Sequence, residues 1–535
     1  RLPLDRFGNR IPVLQFEVVG YRGMLETAIR AITIIPGATE HGYSPTVVTE
    51  ELGDGEARHL NRNQLRNGTD WNASISELKD VCPDLERVAL VVTWFGTDLR
   101  ANHCRILPGV EKESRNGESE PWMVAGYTRA DAHLISRIAG RPAYGGTPND
   151  KSVVDAIRDL RDRGLQVYLY PFIMMDVPAG NELPDPYGGE DGQAVYPWRG
   201  RITCHPAPGR LGSPDGSGDA RDQISAFAGQ ATAGDFVVDG TRVTYGGDDE
   251  GYRRMILHYA LLAAAAGGVD GLIIGSELRG LTMVRDGDGD FPFVDKLVTL
   301  ADEVRAITGS GTKLTYAADW TEYAGYRPND GSGDAYFNLD KLWASDAIDA
   351  VGIDNYMPLM DFRDEDFVDE QPDGARLADD RGAMIRAITS GEGFDWYYAS
   401  GADRKARLRT PVTDGLAGKP WVYRFKDLEG WWSNRHYRRT GGVEAGAPTA
   451  WHAGMKPIWF TELGCPAINR GANQPNVFVD PKSSESALPY HSSGMRSDTV
   501  QRRFLEAHHR YWTGDGAPAG MVKADHMFVW AWDAR

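Results

Sequence analysis

The sequence predicts an α/β chain folded as a TIM (β/α)8 barrel with long loops on its catalytic face. Three observations carry that expectation. Short, fully apolar runs such as RVALVVTW (87–94) and Leu272-Ile273-Ile274 read as strands buried on both faces. Amphipathic stretches precede such runs; 149–163 is followed by Gly164 and then by QVYLYPFIMM (166–175). The alternation recurs often enough to close eight units, whereas a doubly wound sheet would show about five or six.

Taken in order, residues 1–20 read as strand-turn-strand around Gly8-Asn9, the end of a preceding region or an entry hairpin, and 21–535 as the barrel. A short helix pattern at 74–82 feeds 87–94, and 149–163 feeds 166–175. Helix patterns at 251–266, 295–308, 339–344 and 499–512 feed strands at 272–274, 313–318, 350–356 and 526–532. With KPIWF (456–460) this makes seven strands, and the missing one is placed at WMVAG (122–126). Turn-rich insertions at about 178–233, 361–380, 442–453 and 471–494 follow candidate strands, which puts them on one face.

The bulk properties exclude several classes. A net charge of -18 over 535 residues sets up a field that repels nucleic acid and anionic membranes, so no nucleic-acid partner is expected. The longest apolar stretch, 260–266, is too short for membrane insertion. Cys82, Cys104, Cys204 and Cys465 have neither metal spacing nor a dense disulfide pattern, and fit core thiols or a reducing compartment. Asp286, Asp288 and Asp290 are out of register for a calcium loop, and neither a phosphate-binding glycine loop nor a G-x-S-x-G elbow is present. No cofactor and no metal are expected. The chain begins at Arg1 without a signal-peptide pattern and is expected to be a piece of something longer.

The chemistry is suggested by Glu277 and Glu462. Each ends an apolar run, on strands four and seven by this count, which carries both carboxyls to the rim of one barrel. Glycosidic-bond hydrolysis requires such a pair, one to protonate the leaving oxygen and one to attack or to activate water. A lone glutamate at a strand end is more often a loop carboxylate; the equivalent placement of two favours catalysis. Trp94 closes strand one, Tyr170 lies in strand three, Asp319-Trp320 closes strand five, Asp354-Asn355-Tyr356 closes strand six and Trp530 ends strand eight. Aromatic rings stack on sugar faces while Asp and Asn bond hydroxyls, so these residues are candidate substrate contacts. Trp94 and Trp530 read equally as bulk plugging the barrel mouth. Tyr356 could hold the nucleophile, and Asp319, His205 or His526 could tune charge or bind sugar. Trp432 is a candidate outer subsite or a helix-packing residue.

GLIIGSELRGLT, DAVGIDNYMPL and KPIWFTELGCP together resemble the TIM-barrel-like domain of the baseplate, or host-specificity, protein of gene transfer agents and related phage tails. The resemblance covers roughly residues 21–535, and DRFGNRIPVLQFEV resembles the end of the tail-hub region that precedes that domain. The family is in turn similar to retaining glycoside hydrolases with acid/base on strand four and nucleophile on strand seven. It therefore implies Glu277 as acid/base, Glu462 as nucleophile and Tyr356 as a positioning group. The clan usually has Asn before the acid/base, where it binds the sugar 2-hydroxyl; here the residue is Ser276. The resemblance also implies a polysaccharide substrate, other tail or baseplate proteins as partners, and a place in the tail of a virion-like particle. Its rival is a structural or glycan-binding barrel that does not cleave.

Overall fold

The computed structural model describes residues 23–37, 40–65, 67–189, 192–367 and 373–534; the strand-turn-strand expected at 1–20 lies outside them. Eight parallel strands form the centre: β1 Ala31–Ile35, β2 Arg87–Gly96, β3 Gln166–Met175, β4 Gly271–Ser276, β5 Lys313–Asp319, β6 Val351–Asn355, β7 Ile458–Leu463 and β8 Val522–Asp533. Each pairs with the next, and β8 pairs with β1, so the sheet closes as a barrel without a free edge.

One strand lies elsewhere than expected. In 122–126 there is only an isolated bridge from Val124 to Tyr127, and Trp122 is buried with its Nε1 donating to Thr147 O at 2.8 Å. The missing strand is Ala31–Ile35, preceded among the described residues by the five-residue helix Met24–Ala28. Residues 87–96 are therefore strand two, and Trp94 closes strand two rather than strand one. Strands four and seven keep their numbers.

The helices on the outside between consecutive strands include α1 Asp70–Val81, α2 Asp150–Asp162, α3 Tyr252–Ala265, α4 Pro292–Thr308, α5 Asp340–Trp343 and α6 Asp498–Trp512. Their ends follow local chemistry. The Thr69 side chain accepts from Asn72 N ahead of α1, Pro292 opens α4 where no amide donor is needed, and Gly164 ends α2 at φ 82°. α3 is buried nearly all round because it packs on β3 and β4 and also carries the hairpin Phe236–Asp239/Arg242–Tyr245.

Period-two alternation sorts each strand into two cores. Ala89, Val91, Tyr168, Tyr170, Phe172, Ile273, Trp459 and Phe528 fill the barrel interior. Val88, Leu90, Val92, Trp94, Leu272 and Ile274 face outward into the layer under the helices. The insertions after β3, β6 and β7 rise from the carboxyl ends of their strands. They are not structureless: 178–233 contains the helix Gly218–Ala228.

Candidate active site

Glycine positions the first carboxyl. The Tyr252 hydroxyl on α3 donates to Ile274 O, and a Cβ on Gly275 would stand 2.0 Å from that hydroxyl. Gly275 takes φ 155°, and the β4–β5 register slips between Ile273 and Ser276. Such a slip re-aims the side chains that follow. Glu277 itself adopts φ 54°, in the left-handed region, held there by two bonds to β5. Its amide donates to Ala317 O at 2.8 Å, and Leu278 N donates to the Tyr316 hydroxyl at 2.7 Å.

Glu277 Oε2 receives the Trp198 indole N–H at 2.7 Å and lies 2.9 Å from Arg199 Nη2. Arg199 also donates to Ser276 Oγ at 2.6 Å and to Ser276 O at 3.0 Å, with its guanidinium 4.2 Å from the Phe172 ring centroid. On β7, Glu462 Oε2 accepts the Tyr356 hydroxyl, and Oε1 lies 3.4 Å from the Tyr170 hydroxyl. Beneath them Asp354 accepts Tyr170 at 3.1 Å, Thr461 Oγ1 at 2.7 Å and Ser276 Oγ at 3.3 Å. Ser276, Tyr170 and Asp354 thus link the surroundings of the two glutamates through one buried network.

Glu277, Glu462 and Asp354 are all buried around one guanidinium. Burial, then the charge of Glu277, pushes the Glu462 carboxyl up to about 8, against the pull of Arg199 and the two tyrosines. Burial, then Glu462 and Glu277, raises Asp354 well above the carboxylate range. Asp319 rises to about 6 through burial and the nearby Glu277. Carboxyls buried around one guanidinium cannot all ionise, so the cluster shares protons. Burial also raises Tyr356 and Tyr170, which keeps both phenols neutral and donating.

A cleft of about 380 Å³ opens above this cluster, lined by Glu277, Glu462, Tyr356, Asp319, Phe172 and Trp530 among others. Trp530 stacks on Phe172 with centroids 5.6 Å apart and planes 11° from parallel. Tyr170, Ser276 and Asp354 form the floor. Asn355 does not line the cleft; its Oδ1 accepts from Met357 N and its Nδ2 is buried without a partner.

Five expected substrate contacts lie elsewhere. Trp94 has the outward parity of Val88, Leu90 and Val92, so its ring packs under α3, donating to the Tyr259 hydroxyl at 3.0 Å. Trp320 packs edge-on against Phe425. Trp432 donates to Lys456 O, just ahead of β7 and so at the amino-terminal end of the strands. His205 lies in the 178–233 insertion, bonded through its amide to Gln223, where Asp98 and Arg100 influence it rather than the glutamates. His526 bonds Tyr168 and Asp525 low in the barrel.

The profile of the GTA TIM-barrel-like domain matches residues 250–535. The chain belongs to this family. The matched stretch carries Glu277, Asp319, Asp354, Tyr356 and Glu462. No curated protein matches the sequence. Among solved structures, a GH113 beta-1,4-mannanase is similar at 12% identity and TM-score 0.40, over 95% of this chain and 89% of that one. The GH113 beta-mannanase of Alicyclobacillus acidocaldarius is similar at 14% identity and TM-score 0.39, over 95% and 87%. Trp198, Arg199 and Phe172, all ahead of the stretch matched by the GTA TIM-barrel-like domain, are the site residues that sequence reasoning missed. Phe172 shares the inward parity of Tyr168 and Tyr170 and could have been found that way. Trp198 and Arg199 lie ahead of the matched stretch, in a Gly/Pro-rich insertion whose periodicity says nothing about its return to the barrel.

Proposed function

We propose that the chain is a glycoside hydrolase acting by retaining double displacement. The observation that carries this reading is the convergence of Glu277 and Glu462, from β4 and β7, on one cleft walled by Phe172 and Trp530. Glu462 attacks the anomeric carbon while Glu277 protonates the departing oxygen, leaving a glycosyl ester on Glu462. Glu277 then takes a proton from water, which attacks the anomeric carbon and releases Glu462. Tyr356 holds the attacking carboxylate by its donated hydrogen bond. Arg199 and Trp198 both bind Glu277 Oε2, so as acid Glu277 either donates from Oε1 or releases these contacts when the glycosidic oxygen arrives.

Membership of the GTA TIM-barrel-like family supports a cell-surface or capsular polysaccharide as substrate, other tail or baseplate proteins as partners, and a place in the tail of a phage-like particle. The test is a panel of bacterial surface polysaccharides incubated with wild type, Glu277→Gln and Glu462→Gln, reading new reducing ends and the anomer first released. Wild-type release with retention, reduced at least about 100-fold in both variants, is the expected result. Equal release by all three, or inversion, overturns it.

A second reading is favoured by Arg199 itself. Its contacts to Glu277 and Ser276 close off the acid and stand beside the position where the clan has its sugar-binding Asn. On that reading the barrel binds glycan without cleaving it, and the same panel shows retention of a polysaccharide without new reducing ends.

A further inference from the structure

A second cavity, of about 200 Å³, opens beside the first and shares no lining residue with it. Two short connections join them. Arg279 follows Glu277 by two residues, and Thr321 follows Asp319 by two, so the two cavities are neighbours on the carboxyl-terminal face. Three arginines line this second cavity: Arg279, Arg327 and Arg424.

Those groups are poorly matched within the protein. Among the described residues the Arg279 side chain makes no hydrogen bond and no ion pair, although it is half-buried. Arg327 donates from Nη1 to Ala324 O at 2.8 Å, but its Nε and Nη2 are buried without partners. Its guanidinium lies 4.9 Å from the Phe337 ring centroid, and burial pulls it down to about 10. Arg424 reaches Asp427 only at 3.4 Å and has a buried, unpartnered Nε. The sole carboxyl in the lining is Glu322, which burial pushes up to about 8; it accepts from Thr282, Tyr316 and Asp319 N. Buried donors without acceptors are costly, on the order of 1–3 kcal/mol each. A cavity lined by such donors, with its carboxyl holding a proton at neutral pH, offers an acceptor-rich anion several charge-assisted bonds.

We propose that this cavity is a subsite for an oxyanion carried on the glycan: the carboxylate, phosphate or sulfate of an acidic sugar next to the one bound over Glu277 and Glu462. The proposal rests on the glycan-binding reading of the neighbouring cleft. The chain's net charge of -18 repels a free anion at long range, while a polymer gripped by the aromatic cleft brings its anionic substituent to the arginines at high local concentration. The acidic substituent then selects among polysaccharides that the carboxylate-lined cleft alone would not distinguish.

The test measures binding rather than turnover, in a Glu462→Gln background, so it does not depend on cleavage. Acidic oligosaccharides from surface polysaccharides are titrated against their carboxyl-reduced or dephosphorylated counterparts, with inorganic phosphate as a separate probe. Expected is a preference of at least tenfold for the acidic form, competition by millimolar phosphate, and collapse of the preference to within about threefold in Arg327→Met. Arg279→Met, at a half-exposed position, gives the same loss if Arg327→Met fails to fold. Equal binding of acidic and neutral forms, or a preference unchanged in both variants, overturns the proposal. Binding of inorganic phosphate alone, without competition against the oligosaccharide, overturns the glycan assignment. Failure of cleavage with the preference intact counts against the hydrolase reading only.

Discussion

Arg199 Nη2 stands 2.9 Å from Glu277 Oε2, reaching back from the insertion after β3 to a carboxyl at the end of β4. The same guanidinium bonds Ser276 and is the one cation in contact with the carboxyl cluster of Glu277, Glu462 and Asp354 among the described residues. Its charge therefore holds Glu462 and Asp354 below where burial and their carboxyl neighbours would put them.

Replacing Arg199 with Met should destabilise the protein, and more so at higher pH. Arg199 lowers both Glu462 and Asp354, so its loss raises them further and leaves buried carboxyls without a counter-charge. Breaking a buried pair in this way costs on the order of 3 kcal/mol. At pH 5 Glu462, raised to about 8, is already protonated, and that part of the penalty is lost. Denaturant unfolding of both proteins at pH 5 and pH 8 measures the difference; an equal loss at both pH values would show that Arg199 acts by packing on Phe172 alone.

Tyr356→Phe should shift the pH dependence of activity. On the retaining reading Glu462 must be ionised to attack, so the acidic limb of kcat/KM follows its titration. Tyr356 donates to the carboxylate and lowers that titration; its removal moves the acidic limb to higher pH. Hydrogen bonds to charged groups contribute about 1.5–3 kcal/mol, so activity at pH 7 should fall roughly 10–100-fold and recover in part above the shifted limb. A uniform fall at all pH values would assign Tyr356 a purely structural role.

The two glutamates and the barrel are legible in the sequence because closely packed parallel strands leave an apolar signature, and their carboxyl ends are where side chains meet. Ala31–Ile35 is not, because it is five residues long and no run of helical period stands out ahead of it in the sequence. Trp94 shows what the strand pattern contains but residue type conceals. Val88, Leu90 and Val92 share its parity, and the two faces of β2 differ only in that they meet helices or barrel interior. Arg199 is illegible for another reason: its place depends on how a long insertion folds over the rim, which no local period encodes.

Gly275→Ala should cost more than an ordinary left-handed glycine substitution. The new Cβ would stand 2.0 Å from the Tyr252 hydroxyl, whereas Gly268, at φ 95°, has open space around it. Gly268→Ala should therefore lose only the backbone term, about 1 kcal/mol, and Gly275→Ala about 2 kcal/mol beyond that. Activity should fall in Gly275→Ala alone, since the register slip at that residue aims Ser276 and Glu277. Thermal unfolding and turnover of the two variants side by side check this; matching losses would remove Gly275 from the account of how the carboxyl is positioned.

Glu322→Gln should alter the slope of stability against pH. Burial raises Glu322 from the ordinary 4.5 to about 8, so between those values the folded state holds a proton that the unfolded state has released. A raised carboxyl stabilises fully below 4.5, and that contribution is lost as pH rises toward 8. The Gln variant has no such proton. It carries instead a fixed penalty where its amide meets Asp319 N, the donor that Glu322 Oε2 accepts at 3.1 Å. The variant's stability relative to wild type should thus rise by about 1.4 kcal/mol per pH unit between roughly pH 5 and pH 8. Chemical denaturation across that range gives the slope directly, and parallel curves would mean that Glu322 is ionised in the folded protein. In that case its negative charge would face Arg327 and Arg279 across the second cavity and weaken the attraction for an anionic sugar there.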